Sequence, residues 1–129
     1  MDRKYYIAGF ILGLLGVVIG AFGTHGLKPL LSPDSFTSME TGIKYQIYHS
    51  LLLLILGLLI KSGHQFSKSI FYLLIFGVIL FSGSIYLLAT NALTSFDFKA
   101  IALATPLGGS LLIIGWAWLI VYFITLKKK

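Results

Sequence analysis

Tyr5-Tyr6-Ile7-Ala8-Gly9-Phe10-Ile11-Leu12-Gly13-Leu14-Leu15-Gly16-Val17-Val18-Ile19-Gly20-Ala21-Phe22-Gly23-Thr24-His25-Gly26 is the stretch whose reading decides the fold. It passes without an Asp, Glu, Lys or Arg. About 20 mostly apolar residues are enough for an α-helix to cross the hydrocarbon core of a bilayer. Its glycines, Gly9, Gly13, Gly16, Gly20 and Gly23, alternate spacings of four and three residues, which aligns them on one helix face. Lipid provides no hydrophobic drive for helices to associate, so small residues that let backbones approach must supply the contact. The stripe predicts a packing seam, against neighbouring helices or against a second copy or another membrane partner. It carries no chemistry of its own.

The rest of the chain extends this reading. Of 129 residues, 57% are hydrophobic and 11% charged, with a mean hydropathy of +0.94. Soluble domains carry about 25% charged residues, and a soluble fold this short could not bury so much apolar surface. Apolar runs at about residues 5–26, 43–60, 69–90 and 100–126 predict an all-α, four-helix transmembrane bundle, one domain over 1–129, with the lipid bilayer as its solvent. The absence of cysteine excludes disulfides, thiolate metal sites and cysteine nucleophiles.

The net charge of +6 flanks the apolar runs, which reads as topology and not as a nucleic-acid patch. Arg3, Lys4, Lys61, Lys68, Lys127, Lys128 and Lys129 fall on one side; Lys28, Lys44 and Lys99 fall on the other. Cytoplasmic loops are enriched in Lys and Arg, so both termini are predicted in the cytoplasm, N-in and C-in. The start of the chain loosely matches a signal peptide, but its apolar stretch is longer than a usual signal core and is read as a retained span.

Between the first two spans, Ser32-Pro33 has the form of a helix start, and Thr37-Ser38-Met39-Glu40 fits a capping box. Phe36, Met39, Ile43 and Ile47 then recur at helical spacing, predicting an amphipathic outer segment continuous with the second span. His64, in the short basic connection 61–68, is expected to be solvated. Pro106 predicts a kink in the fourth span near residues 102–106.

With that topology, hydrogen-bonding side chains crowd the outer half of every span while the inner halves are aliphatic. Polar groups inside a membrane generally face the bundle interior. The spans are therefore expected to converge His25, Gln46, His49, Ser82, Ser84 and Thr105 into one outward-facing polar pocket. Against this stands a plainer reading: short hydroxyls often bond their own helix backbone or glue helices together.

Four segments carry a resemblance. They are Gly20-Ala21-Phe22-Gly23-Thr24-His25-Gly26-Leu27, Tyr45-Gln46-Ile47-Tyr48-His49, Phe81-Ser82-Gly83-Ser84-Ile85-Tyr86 and Thr105-Pro106-Leu107-Gly108-Gly109. In this order they resemble the YgdD/YwdK-like family of small bacterial membrane proteins, a domain of unknown function (423). Thr24 stands where alanine is expected, and Ile85 where leucine is. The resemblance implies a four-span protein of the bacterial inner (cell) membrane and supplies no activity.

Two functions follow as expectations. The first is binding or transport of a small polar ligand or ion in the outer pocket, with His25 and His49 as hydrogen-bonding or proton-accepting groups. The alternative is a structural or regulatory membrane subunit acting through helix 1, as a homo-oligomer or with a membrane partner. A haem or metal site on His25 and His49 ranks below both, since two histidines leave a zinc shell incomplete. No resident metal or cofactor is expected. Neither is an enzyme: Asp34, Glu40 and Asp97 fall in the connections, and no nucleophile–base–acid set lies at membrane depth.

Overall fold

The computed structural model describes residues 1–93 and 101–126. Asp97, Lys99, Ala100 and Lys127–Lys129 lie outside them. Four helices are long and apolar enough to cross a membrane: α1 (Asp2–Leu30), α2 (Pro33–Lys61), α3 (Lys68–Ala89) and α4 (Ala104–Thr125).

Helix α2 starts ten residues earlier than the apolar run suggests, because its start is capped. The Ser32 hydroxyl accepts the Ser35 N–H at 3.1 Å, and Pro33 takes the first helical position. The missing proline N–H costs nothing there. Thr37 and Glu40 form no second cap. They lie inside the helix, and the Thr37 hydroxyl donates to the Pro33 carbonyl at 2.9 Å. At 1.5 Å per residue, the 29 residues of α2 span about 44 Å. That exceeds the ~30 Å hydrocarbon core by several turns.

Two helices change register along their length. Helix α1 is α-helical to Phe22, π-helical over Gly23–Leu27 and 3-10 over Lys28–Leu30. Helix α3 is interrupted by a π-helical turn, Ile79–Gly83. Pro106 produces no interior kink. Helix α4 begins at Ala104, which leaves the proline in the first turn, where backbone N–H groups have no helical partner to lose.

The helices pack as two close hairpins. The glycine stripe of α1 lies on α2 of the same chain. A Cβ added at Gly9 would come 2.7 Å from the Leu54 side chain and 2.9 Å from the Ser50 carbonyl. Gly13 faces the Ser50 hydroxyl, Gly16 faces Ile47, Gly20 faces Ile43 and Gly23 faces the Met39 sulfur. The seam therefore belongs to the intramolecular neighbour. Association of copies or partners through this face of helix 1 is blocked, because α2 already fills it.

The second hairpin, α3 on α4, is closer still. A Cβ on Gly108 would lie 2.8 Å from the Gly77 carbonyl oxygen and 2.9 Å from the Leu80 carbonyl carbon. At Gly115 the neighbour is a side chain: a Cβ there would lie 2.9 Å from Leu74. The half of the bundle nearer the termini is filled by Tyr5, Leu53, Leu56, Ile70, Leu74 and Leu119. Tyr5 sets its ring edge-on to Phe71 at 4.9 Å.

The α2–α3 connection turns at Gly63, whose φ of +113° is a conformation side chains disfavour. His64 is not solvated as expected. It is half-buried, with Nδ1 3.1 Å from the Tyr122 hydroxyl, which also accepts the Gln65 N–H at 3.3 Å. This ties the connection to the end of α4.

Candidate functional site

The site lies in the half of the bundle nearer the α1–α2 connection, and α2 is its axis. Gln46 projects between α1 and α3. Its amide nitrogen donates to the Leu12 carbonyl at 2.8 Å, and its amide oxygen accepts the Tyr86 hydroxyl at 2.6 Å. One turn nearer the start of α2, the Ser82 hydroxyl donates to the Gly42 carbonyl at 2.7 Å. Gly42 is required there: a Cβ would sit 2.9 Å from the Tyr86 ring. The π-helical turn of α3 carries Ser82, and turns of this kind are frequent at functional positions.

His49 is 3% exposed and uses both ring nitrogens. Nδ1 lies 2.7 Å from the Tyr45 carbonyl, and the Trp116 indole N–H donates to Nε2 at 2.9 Å. A carbonyl can only accept and an indole can only donate. The ring is therefore neutral, with its proton on Nδ1. Ser84 bonds the Thr105 hydroxyl across α3 and α4 and also reaches the Phe81 carbonyl at 3.0 Å.

Five of the six residues expected to converge thus lie at helix–helix contacts: Gln46, His49, Ser82, Ser84 and Thr105. His25 stands apart. It is exposed in the π-helical end of α1, beyond Gly23, which faces Met39. His49 lies ten residues deeper than Met39 on α2, about 15 Å along the axis. The two imidazoles therefore share no cavity and cannot hold one ion or haem. Among the described residues, no group of three or more His, Cys, Asp or Glu is placed to hold a metal.

A cavity of about 400 Å³ opens beside this region, lined by Asp34, Ser35 and Ser38 of α2, Ile85, Leu88 and Ala89 of α3, and Ala102 and Thr105. Of the six residues, only Thr105 lines it.

Two partners were missed from the sequence. Trp116 reads as part of the apolar inner half, and Tyr86 falls at the depth of the polar residues without being counted among the six. No periodicity marks either one. The available signal is the rule that buried polar groups are hydrogen-bonded, which obliges a buried His or Gln to have partners on facing helices.

Comparison with known proteins points to a family of membrane proteins. A family model described as Protein of unknown function (DUF423) matches residues 19–109. The inner membrane protein YgdD of Escherichia coli K12, of the UPF0382 group, is 36% identical over 131 residues, covering 99% of this chain and 95% of that protein. A UPF0382 membrane protein of Staphylococcus saprophyticus is 36% identical over 92% of this chain and 95% of its own length. One of Haemophilus influenzae is 34% identical over 90% of each. No solved structure shows significant similarity.

Proposed function

From the premise that this chain belongs to the DUF423 family of membrane proteins, we propose that it is a non-enzymatic, rigid four-span unit of a bacterial inner membrane that serves a structural or regulatory role toward another membrane component. One observation carries this reading. Four polar side chains buried among the helices are spent on bonds inside the chain: Gln46 to α1 and α3, His49 to α4, Ser82 to α2, and Ser84 to Thr105. Among the described residues the buried Tyr6 hydroxyl, which has no partner, lies in the other half of the bundle, nearer the termini. A site built to bind a polar solute leaves donors or acceptors turned toward the solute. Here they close on one another and join every helix to its neighbours, which is how polar groups hold membrane bundles together.

The orientation belongs to the same proposal. The seven lysines and arginines of the termini and the α2–α3 connection put that end in the cytoplasm. The first turns of α2 then form an amphipathic segment at the outer surface, where Met39 and Gly42 are buried and Asp34, Thr37, Ser38 and Glu40 are exposed. The inner-membrane location is supported by the name of the Escherichia coli relative.

The test is reconstitution of the purified protein in liposomes. Permeability to protons, sodium, potassium and chloride is expected to stay at the level of empty vesicles. A flux that His49→Ala abolishes overturns the proposal.

A second reading is favoured by the cavity of about 400 Å³ at the mouth of α2, α3 and α4. Its Asp34, Ser35, Ser38 and Thr105 suit a small hydroxylated or cationic solute. Saturable binding of such a solute, lost in Asp34→Asn, would establish it.

A further inference from the structure

The seam between α1 and α2 loosens toward the α1–α2 connection. A Cβ added at Gly9 or Gly16 would lie 2.7 or 2.8 Å from the side chain it faces, whereas at Gly20 and Gly23 the nearest atoms, of Ile43 and Met39, would be 3.8 and 3.4 Å away. The slack leaves a notch of about 170 Å³ lined by Gly20, Gly23, Thr24, Phe36, Glu40 and Lys44 together with Ile43. We propose that this notch binds the headgroup of phosphatidylethanolamine, with the ammonium on Glu40 and Thr24 and the phosphate on Lys44.

The polar groups of the notch are unspent. Among the described residues, the side chains of Glu40 and Lys44 make no ion pair or hydrogen bond to the chain, and both are exposed. The Thr24 hydroxyl donates its one proton to the Gly20 carbonyl at 2.9 Å, so its oxygen offers only lone pairs to a ligand. Lys28 stands at the rim, its ammonium 5.4 Å from the centre of the Phe36 ring. The set is two acceptors, one of them anionic, beside a cation. Its complement is a hydrogen-bond-donating cation next to an anion. Residues four apart on a helix have Cβ atoms about 5–6 Å apart, a separation that the two-carbon bridge of ethanolamine, between phosphate and ammonium, can span. Pockets for drug-sized ligands run to ~300–1,000 Å³, so a notch of this size suits a headgroup.

Depth places the notch among headgroups. From Lys61, at the other end of α2, Lys44 is about 26 Å and Glu40 about 32 Å along the axis. On α1, Thr24 is about 30 Å from Lys4. The hydrocarbon core is ~30 Å thick, so the notch straddles its far boundary, whichever face of the membrane that is. On the membrane side of Lys44, the same face of α2 carries Leu51, Ile55 and Leu58, each more than half exposed. Acyl chains lie on such a strip, and it leads to Lys44. This continuity favours a lipid over a free zwitterion. Phosphatidylglycerol brings no cation to answer the Glu40 carboxylate. Phosphatidylcholine brings a quaternary ammonium with no N–H to donate.

The full chain, purified in a mild detergent, is titrated with phosphatidylethanolamine, its N-methylated derivatives up to phosphatidylcholine, and phosphatidylglycerol, all with the same acyl chains. Native mass spectrometry follows the first bound lipid. Phosphatidylethanolamine is expected to bind about tenfold more tightly than phosphatidylcholine or phosphatidylglycerol, with affinity falling as methyl groups replace N–H. Glu40→Gln is expected to bring phosphatidylethanolamine and phosphatidylcholine within about twofold of each other. Lys44→Gln is expected to weaken both alike and keep their ratio. Neither side chain bonds to the described chain, so circular dichroism is expected to show both variants folded. Equal affinity for phosphatidylethanolamine and phosphatidylcholine in the parent protein overturns the proposal. So does a preference that survives Glu40→Gln, or a tighter hold on phosphatidylglycerol. Displacement of the lipid by an equal concentration of free phosphoethanolamine also overturns it, because a soluble zwitterion would then be the occupant.

Discussion

Gly108→Ala is expected to destabilise the protein by at least about 3 kcal/mol, the upper range for overpacking a tight contact. The added methyl would stand within 3 Å of backbone atoms of Gly77 and Leu80, and backbone has no rotamer by which to yield. The α3–α4 pair would have to separate, and with it the Ser84–Thr105 bond that spans the same seam. Reversible unfolding in detergent, followed by tryptophan fluorescence and circular dichroism, measures the loss. Gly83→Ala is the control. Gly83 lies in the same region with a helical φ of −60° and open space where a Cβ would go. Relief of glycine's helix penalty predicts a change between zero and about 1 kcal/mol of added stability. Equal effects at the two positions would show that the close approach is not as described.

Gln46→Leu is expected to cost about 2–4 kcal/mol, a larger effect than any single hydroxyl removal. It strands the Tyr86 hydroxyl without its acceptor, breaks the bond to the Leu12 carbonyl and puts a branched side chain on the side facing Gly16, where a Cβ on the glycine would already lie 3.5 Å from the amide nitrogen. Tyr86→Phe removes only its own hydroxyl and is expected to cost about 1 kcal/mol. In the double variant the two losses overlap. A double-mutant cycle is expected to return a coupling of about 0.6–2 kcal/mol, the range for interhelical hydrogen bonds in membrane proteins. Strict additivity would mean that Gln46 and Tyr86 do not bond.

The parts of this fold that could be read from the chain are those set by lipid as a solvent. Four apolar runs had to be helices, since nothing else satisfies the backbone in hydrocarbon. The glycine spacing of α1 identified a seam, because small residues are what membrane helices use to approach. Which helix fills that seam was not readable: Ile43, Ile47 and Leu54 look like any other aliphatic residues until α2 is laid against α1. Helix ends were legible where a capping residue marked them and not elsewhere. Ser32-Pro33 gave the start of α2, ten residues before its apolar run, whereas Pro106 marks the beginning of α4 where a kink was expected.

The candidate site was legible as residues and not as an arrangement. Depth alone grouped His25 with His49. The pairing of Gly23 with Met39 separates them, and that pairing is a fact of tertiary register. Depth also excluded Trp116, whose long side chain reaches back to His49 from the apolar half. Whether a polar residue in a membrane helix faces a ligand or a neighbouring helix depends on what stands opposite it, and one chain read alone does not say.

The central claim is that the polar half of the bundle is closed on itself. The chain has no cysteine of its own, so single substitutions report without background. Ser82→Cys, at a position 1% exposed, and Ser38→Cys, at an exposed one, are treated with a membrane-impermeant maleimide in intact vesicles of both orientations. Cysteine at 38 is expected to react from one side, and cysteine at 82 to stay unmodified from either. Modification at 82 as fast as at 38 would mean that water reaches the interior and that the bundle holds an open polar pocket.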